Sequence, residues 1–182
     1  MKTIKVLIIY LAVTVNAFAS GVSSPEQQNW RGWSTVGQAQ LSMLFFDIYH
    51  SQLLTPNGRY SLESDITPHP LALSITYQRD ISQRQLVDAT LEQWQRLGYQ
   101  SSQTDQWVQH LTKIFPDIKE GHNLTYVTDG VKGQFYYSQP QSSNRLIGVI
   151  EEESFNDAFL AIWLSPQTEY PSLRERLIGR KQ

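Results

Sequence analysis

The chain contains no cysteine, and only two methionines and four histidines, in 182 residues. Without a thiol there is no disulfide, no thiolate metal site, no cysteine nucleophile and no cysteine to carry a lipid anchor. Neither sign of charge is in excess. Fifteen Lys and Arg against 17 Asp and Glu leave a formal charge of −2, so nothing points to nucleic acid as a partner. Beyond residue 20 no apolar run approaches the roughly 20 residues that cross a bilayer. Nucleophile-elbow and phosphate-cradling glycine motifs are also missing. The histidines, His50, His69, His110 and His122, lack the i, i+4 or His-x-His spacing that builds a metal site. No metal or other cofactor is expected.

What remains is 40% hydrophobic and 12% aromatic, enough for one domain with its own core. The first twenty residues, MKTIKVLIIYLAVTVNAFAS, read as a secretory signal. Lys2 and Lys5 give a positive start, an apolar run follows, and Ala17-Phe18-Ala19 supplies a small-x-small cleavage pattern. The expected organisation is therefore a cleaved signal over 1–19, a polar leader over 20–29 and one domain over 30–182. Cleavage falls after Ala19 or Ser20. The expected location is the periplasm or the medium, because a small exported domain without cysteine fits a bacterial envelope better than a disulfide-rich secretory route. No membrane-spanning segment is expected after cleavage.

Within the domain, the aromatic-rich stretch 41–54 (LSMLFFDIYHSQLL) reads as one strand covered on both sides over its first half, with 33–38 as its hairpin partner. Pro56-Asn57-Gly58 predicts a tight turn, and 60–62 a short returning strand. LALSITYQ over 71–78 alternates, with Leu71, Leu73, Ile75 and Tyr77 on one face. Ser82 with Gln85 predicts a capping box opening a helix to about Leu97, stopped by Gly98. A second helix is expected over 104–115, strands over 123–128, 133–138 and 145–151, and helices from Ser154 to the Ser165-Pro166 break and over 172–178. This order argues for an α+β fold, an antiparallel sheet with helices gathered on one face.

The chemistry concentrates at Tyr77-Gln78-Arg79-Asp80, where the alternating strand hands over to the capped helix. If strand geometry continues to Arg79, its guanidinium and the Tyr77 hydroxyl stand at the rim of an apolar face. A carboxylate could be held there bidentately and with direction. Arg79 could equally pair internally, with Asp80, Asp47 or a helix-end carbonyl, and merely fix the corner. Asp47 sits among Phe45, Phe46 and Ile48 and would need a partner if buried. Tyr49 follows two residues on. The ligand-site candidates are therefore Arg79, Tyr77, Tyr49 and Asp47. Phe155, Phe159 and Trp163, at helical spacing, read as core.

Val36-Gly37-Gln38-Ala39-Gln40-Leu41, Phe46-Asp47-Ile48-Tyr49 and the run from Leu71 to Ile81 resemble bacterial chalcone isomerase-like domains. So do Phe155-x-x-Ala158-Phe159-Leu160-x-Ile162-Trp163-Leu164-Ser165 and Leu173-Arg174 with Leu177-Ile178-Gly179. The resemblance implies an open-faced antiparallel sheet packed against a layer of helices, with a ligand cleft between them. The plant isomerases of this fold work with Arg, Thr, Tyr and Asn around that cleft, a set with no residue-by-residue counterpart here. Other members look like fatty-acid binders that hold the carboxylate with Arg and Tyr. The expected function is thus a non-catalytic exported binder of a small apolar or amphipathic ligand such as a fatty acid. The alternatives are an isomerase or lyase acting on a small aromatic or enone substrate, and a structural module of the envelope whose cleft its own side chains fill.

Overall fold

The computed structural model describes residues 30–62 and 65–180. The expected signal and leader lie outside these residues. A short 3-10 turn, Trp30–Gly32, precedes β1 (Ser34–Met43), β2 (Phe46–Thr55) and β3 (Leu71–Tyr77). Two helices follow, α1 (Gln83–Arg96) and α2 (Ser101–Ile114). Then come β4 (Asn123–Thr128), β5 (Gly133–Ser138) and β6 (Arg145–Ile150), and finally α3 (Glu153–Leu164) and α4 (Pro171–Leu177). The six strands form one sheet in the order β1-β2-β3-β4-β5-β6, every pair antiparallel. The expected α+β architecture, an open-faced sheet under helices, is the observed one.

The pleat of β3 sorts its residues as its alternation predicts. Leu71, Leu73, Ile75 and Tyr77 are buried in the core under the helices. Register continues that inward row across the sheet: Leu73 faces Leu53 on β2 and Tyr126 on β4, and Tyr126 faces Phe135 on β5. On the opposite face Leu54, Ala72, Val127 and Tyr136 form a small second cluster, packed by Trp30 and Trp33. The remainder of that face is polar, with the Thr125 hydroxyl donating to Ser74 Oγ and Asn123 Nδ2 donating to Ser74 Oγ and Thr76 Oγ1.

Helix α1 begins as its capping box requires. The Gln85 N–H donates to Ser82 Oγ at 3.2 Å, and the Ser82 N–H donates to Gln85 Oε1 at 2.9 Å. Gly98, at φ +88°, ends the helix in the left-handed region. Trp94, Trp107 and Phe155 knit α1, α2 and α3 together, and the Trp94 indole N–H donates to the Ala158 carbonyl. Helix α4 lies against β1 because Gly37 carries no side chain: a Cβ there would meet the Arg176 carbonyl oxygen at 2.1 Å. The buried Arg174 guanidinium donates from Nε to the Leu164 carbonyl at 2.6 Å. It thereby satisfies the C-terminal end of α3.

Two expectations are corrected. The stretch 41–54 is not one strand. The chain reverses at Leu44-Phe45, with Met43 facing Phe46 across a two-residue loop. Bulky apolar residues there suggested burial, yet Leu44 and Phe45 are 92% and 98% exposed. Residues 60–62 form no strand. Tyr60 instead closes its loop by donating its hydroxyl to the Ile66 carbonyl.

Candidate functional site

A cavity of about 190 Å³ lies between the inner face of the sheet and the helices. Its floor is the end of the sheet nearest the β1–β2 turn, where Leu41 faces Tyr49 and Tyr49 faces Tyr77. Its roof comes from α1 through Leu86 and Thr90 and from α3 through Phe159, Ile162 and Trp163. Met43, Gln85 and Ala89 are lining residues that are also exposed, and they mark the mouth. Among the described residues no Asp, Glu, Lys, Arg or His lines the space. Its polar groups are neutral, and most are already engaged. Thr90 Oγ1 donates to the Leu86 carbonyl, and Gln93 Nε2 donates to Glu169.

Of the three tyrosines that line the space, Tyr170 has its phenol beside Glu169, and Tyr49 and Tyr77 are different. Tyr49 Oη accepts the Trp163 indole N–H at 2.8 Å, which leaves its own O–H without an acceptor among the described residues. The Tyr77 hydroxyl has no hydrogen-bond partner among them at all, although the residue is only 6% exposed. The rings meet edge to face, with centroids 6.0 Å apart. Burial pushes both phenols far above the ordinary tyrosine range, because an anion would have to form in an apolar enclosure. Both therefore stay protonated. The cavity offers two O–H donors and no charged group, a setting suited to a ligand with an apolar body and one acceptor atom.

The four sequence-derived candidates divide into two pairs. Tyr49 and Tyr77 come together in the cavity. Arg79 and Asp47 do not line it. Strand β3 ends at Tyr77, the chain bends at Gln78-Arg79, and strand geometry therefore does not carry Arg79 onto the inward face. Its guanidinium is exposed and lies over the Phe46 ring, 5.5 Å from the centroid. No salt bridge to Arg79 occurs among the described residues. The neighbouring Asp80 pairs with Lys119 at 2.7 Å instead. Asp47 is exposed and needs no buried partner; its Oδ1 accepts the Ser42 hydroxyl at 2.6 Å.

Trp163 is the residue that sequence reasoning missed. Helical spacing placed it in the core, but it is half-buried, lines the cavity and orients Tyr49. The two are 114 positions apart, and only their separate motifs could have hinted at the pairing. Phe155 and Phe159 are core as expected, and Phe159 also forms part of the cavity wall.

The geometry defines a class: an antiparallel open-faced α+β sandwich with an apolar cavity between its layers. The chain belongs to the chalcone isomerase-like family, whose model matches residues 34–179. It is similar to an uncharacterised protein of Haemophilus influenzae, 25% identical over 151 residues that cover 81% of this chain and 69% of that one. Among the described residues no cluster of Asp, Glu and His could hold a metal ion, and no helix is long and apolar enough to cross a membrane.

Proposed function

We propose that the chain is a non-catalytic binding protein for a small apolar or amphipathic molecule, such as a fatty acid, and that it works outside the cytoplasm. The observation that carries the reading is the Tyr77 hydroxyl, which opens onto an apolar cavity and has no hydrogen-bond partner among the described residues. A ligand oxygen in the cavity can accept that O–H, and one such bond contributes about 0.5–1.5 kcal/mol. The volume bounds the ligand. A dry cavity of about 150 Å³ suffices for a benzene-sized guest, so this one takes a single ring or a short acyl segment. A longer chain extends through the mouth past Met43 and Ala89. A fatty acid that enters head first brings its carboxyl oxygen to the Tyr77 hydroxyl and leaves the far end of its chain at the mouth; in an interior without charged groups the carboxyl is held in its neutral form.

The absence of any ionisable side chain except tyrosine from the lining favours binding over isomerisation, since proton transfer near neutral pH needs a group that titrates there. The open cavity also speaks against an envelope scaffold with a self-filled cleft. Export rests on the first twenty residues; N-terminal sequencing of the protein recovered from the periplasm should begin at Ser20 or Gly21.

Ligand binding is tested by native mass spectrometry and by thermal shift with fatty acids of graded length. A bound species and a concentration-dependent rise in Tm are expected. Tyr77→Phe should weaken binding about five- to tenfold, the worth of one hydrogen bond. Ala89→Trp, at the exposed mouth, should block entry with the fold intact. No shift with any chain length would sink the reading. A spectral change on incubation with a chalcone would replace it with the isomerase alternative.

A further inference from the structure

The β1–β2 turn is built against the usual chemistry of two-residue hairpins. Such turns favour Asn, Asp or Gly, because positive φ is awkward for a side chain. Here Leu44 takes φ +56°, followed by Phe45. Met43, Leu44, Phe45 and Phe46 are 52%, 92%, 98% and 60% exposed, a convex apolar tip standing clear of the domain. Its collar is polar: Ser42 bonded to Asp47, and Gln40 Nε2 donating to Gln78. Arg79 stacks on Phe46 at the base of the tip, with no carboxylate partner among the described residues. Of the nearby acids in the chain, Asp47 on the same hairpin takes the Ser42 hydroxyl at Oδ1, and Asp80, next to Arg79, pairs with Lys119.

We propose that this tip docks the protein on a phospholipid bilayer, with Leu44 and Phe45 entering the acyl region and Arg79 meeting lipid phosphate. Three observations favour a bilayer over a protein partner. Four side chains on a convex tip present on the order of 600 Å², short of the roughly 800 Å² that each partner contributes to a stable protein interface. A bilayer accepts isolated protruding apolar side chains without a matching pocket, and affinity grows with the apolar area inserted. An unpaired guanidinium carried next to aromatic rings suits the level of the headgroups, where phosphate offers it a bidentate partner. The tip is also continuous with the cavity, because Met43 belongs to both. Docking through it brings the cavity mouth to the membrane surface. The proposal stands on the tip alone and does not require any particular cavity ligand.

The test is flotation of the purified protein with vesicles of phosphatidylethanolamine and phosphatidylglycerol in a 3:1 ratio. The wild type should float. Leu44→Asn combined with Phe45→Ser should reduce the bound fraction at least tenfold, since each buried Leu or Phe contributes roughly ten- to a hundredfold to partition. Asn suits the positive φ, so the variant should keep its Tm and its thermal shift with fatty acid in vesicle-free buffer. Retained ligand binding with lost flotation separates this proposal from the binding function above. Arg79→Gln should weaken flotation about threefold on phosphatidylglycerol-containing vesicles and by less on pure phosphatidylcholine vesicles, whose phosphate is balanced by choline. A wild type that stays soluble, or a double variant that floats equally, overturns the proposal. So does self-association of the wild type that the double variant abolishes, because the tip would then be a contact between copies.

Discussion

Tyr77 and Tyr126 stand on adjacent strands of one sheet, both facing inward and both almost fully buried. Around Tyr126 the space is filled and the polar atoms are paired. Its ring packs on Phe135 and Phe159 with centroids 4.6 and 4.8 Å away. Its hydroxyl donates to Asn156 Oδ1 at 2.8 Å, and Asn156 Nδ2 donates onward to Thr67 Oγ1. Around Tyr77 there is a cavity and a hydroxyl that donates to nothing among the described residues. The same residue type on the same face thus serves the fold at one end of the sheet and is held in reserve at the other. Phe159 divides the two regions, since it touches Tyr126 on one side and the cavity on the other.

The largest expected effect comes from removing that divider. Phe159→Ala should destabilise the protein by about 3–5 kcal/mol, read as a fall in the denaturation midpoint. It also joins the filled region to the cavity, so any residual folded protein should accept bulkier ligands. Next comes the matched pair. Tyr126→Phe leaves the Asn156 amide oxygen buried without its donor and should cost about 1–3 kcal/mol. Tyr77→Phe removes a hydroxyl that has no partner and should leave apo stability unchanged or slightly higher. Equal losses in the two variants would break the comparison, and with it the case that the cavity end is built for a guest.

Much of this contrast was visible in the sequence on the structural side and little of it on the functional side. Alternation over 71–77 announced the inward face, and Ser82 with Gln85 announced the start of α1, because each depends on residues close in the chain. The Tyr126–Asn156–Thr67 network joins three distant segments and has no local signature. The cavity is legible still less, since an empty space is the sum of side chains from four strands, two helices and the loops between them. The turn at Leu44-Phe45 was misread because a run of apolar residues ordinarily signals burial. Arg79 was placed correctly beside Tyr77 in the chain but turned away in space, since β3 stops at Tyr77 and period-two geometry ends with it.

The smallest expected effect sharpens the comparison from the filled side. Asp157 borders the same polar network, and its carboxyl is pushed up to about 6, chiefly by burial; the Thr67 hydroxyl lowers it and the nearby Asp65 raises it. The Asn156 amide also donates to Asp157 Oδ1 and lowers it, so burial outweighs the hydrogen bonds. Thr67 Oγ1 reaches both the Gly130 carbonyl and Asp157 Oδ1, yet it has one proton to give. A carboxyl whose folded pKa lies above its unfolded value of 3.8 makes the native state bind the proton more tightly. Its unfavourable contribution is therefore present above about pH 6 and is relieved as pH falls from there toward 4. Asp157→Asn, an uncharged mimic of the protonated form, should be more stable than the wild type at pH 7, and the difference should close as the pH approaches 4. With the carboxyl about half exposed, solvent screening reduces the effect to roughly 1–2 °C in Tm. Melting curves of the two proteins at both pH values measure it, and parallel profiles would mean that the network holds Asp157 as an ordinary surface acid.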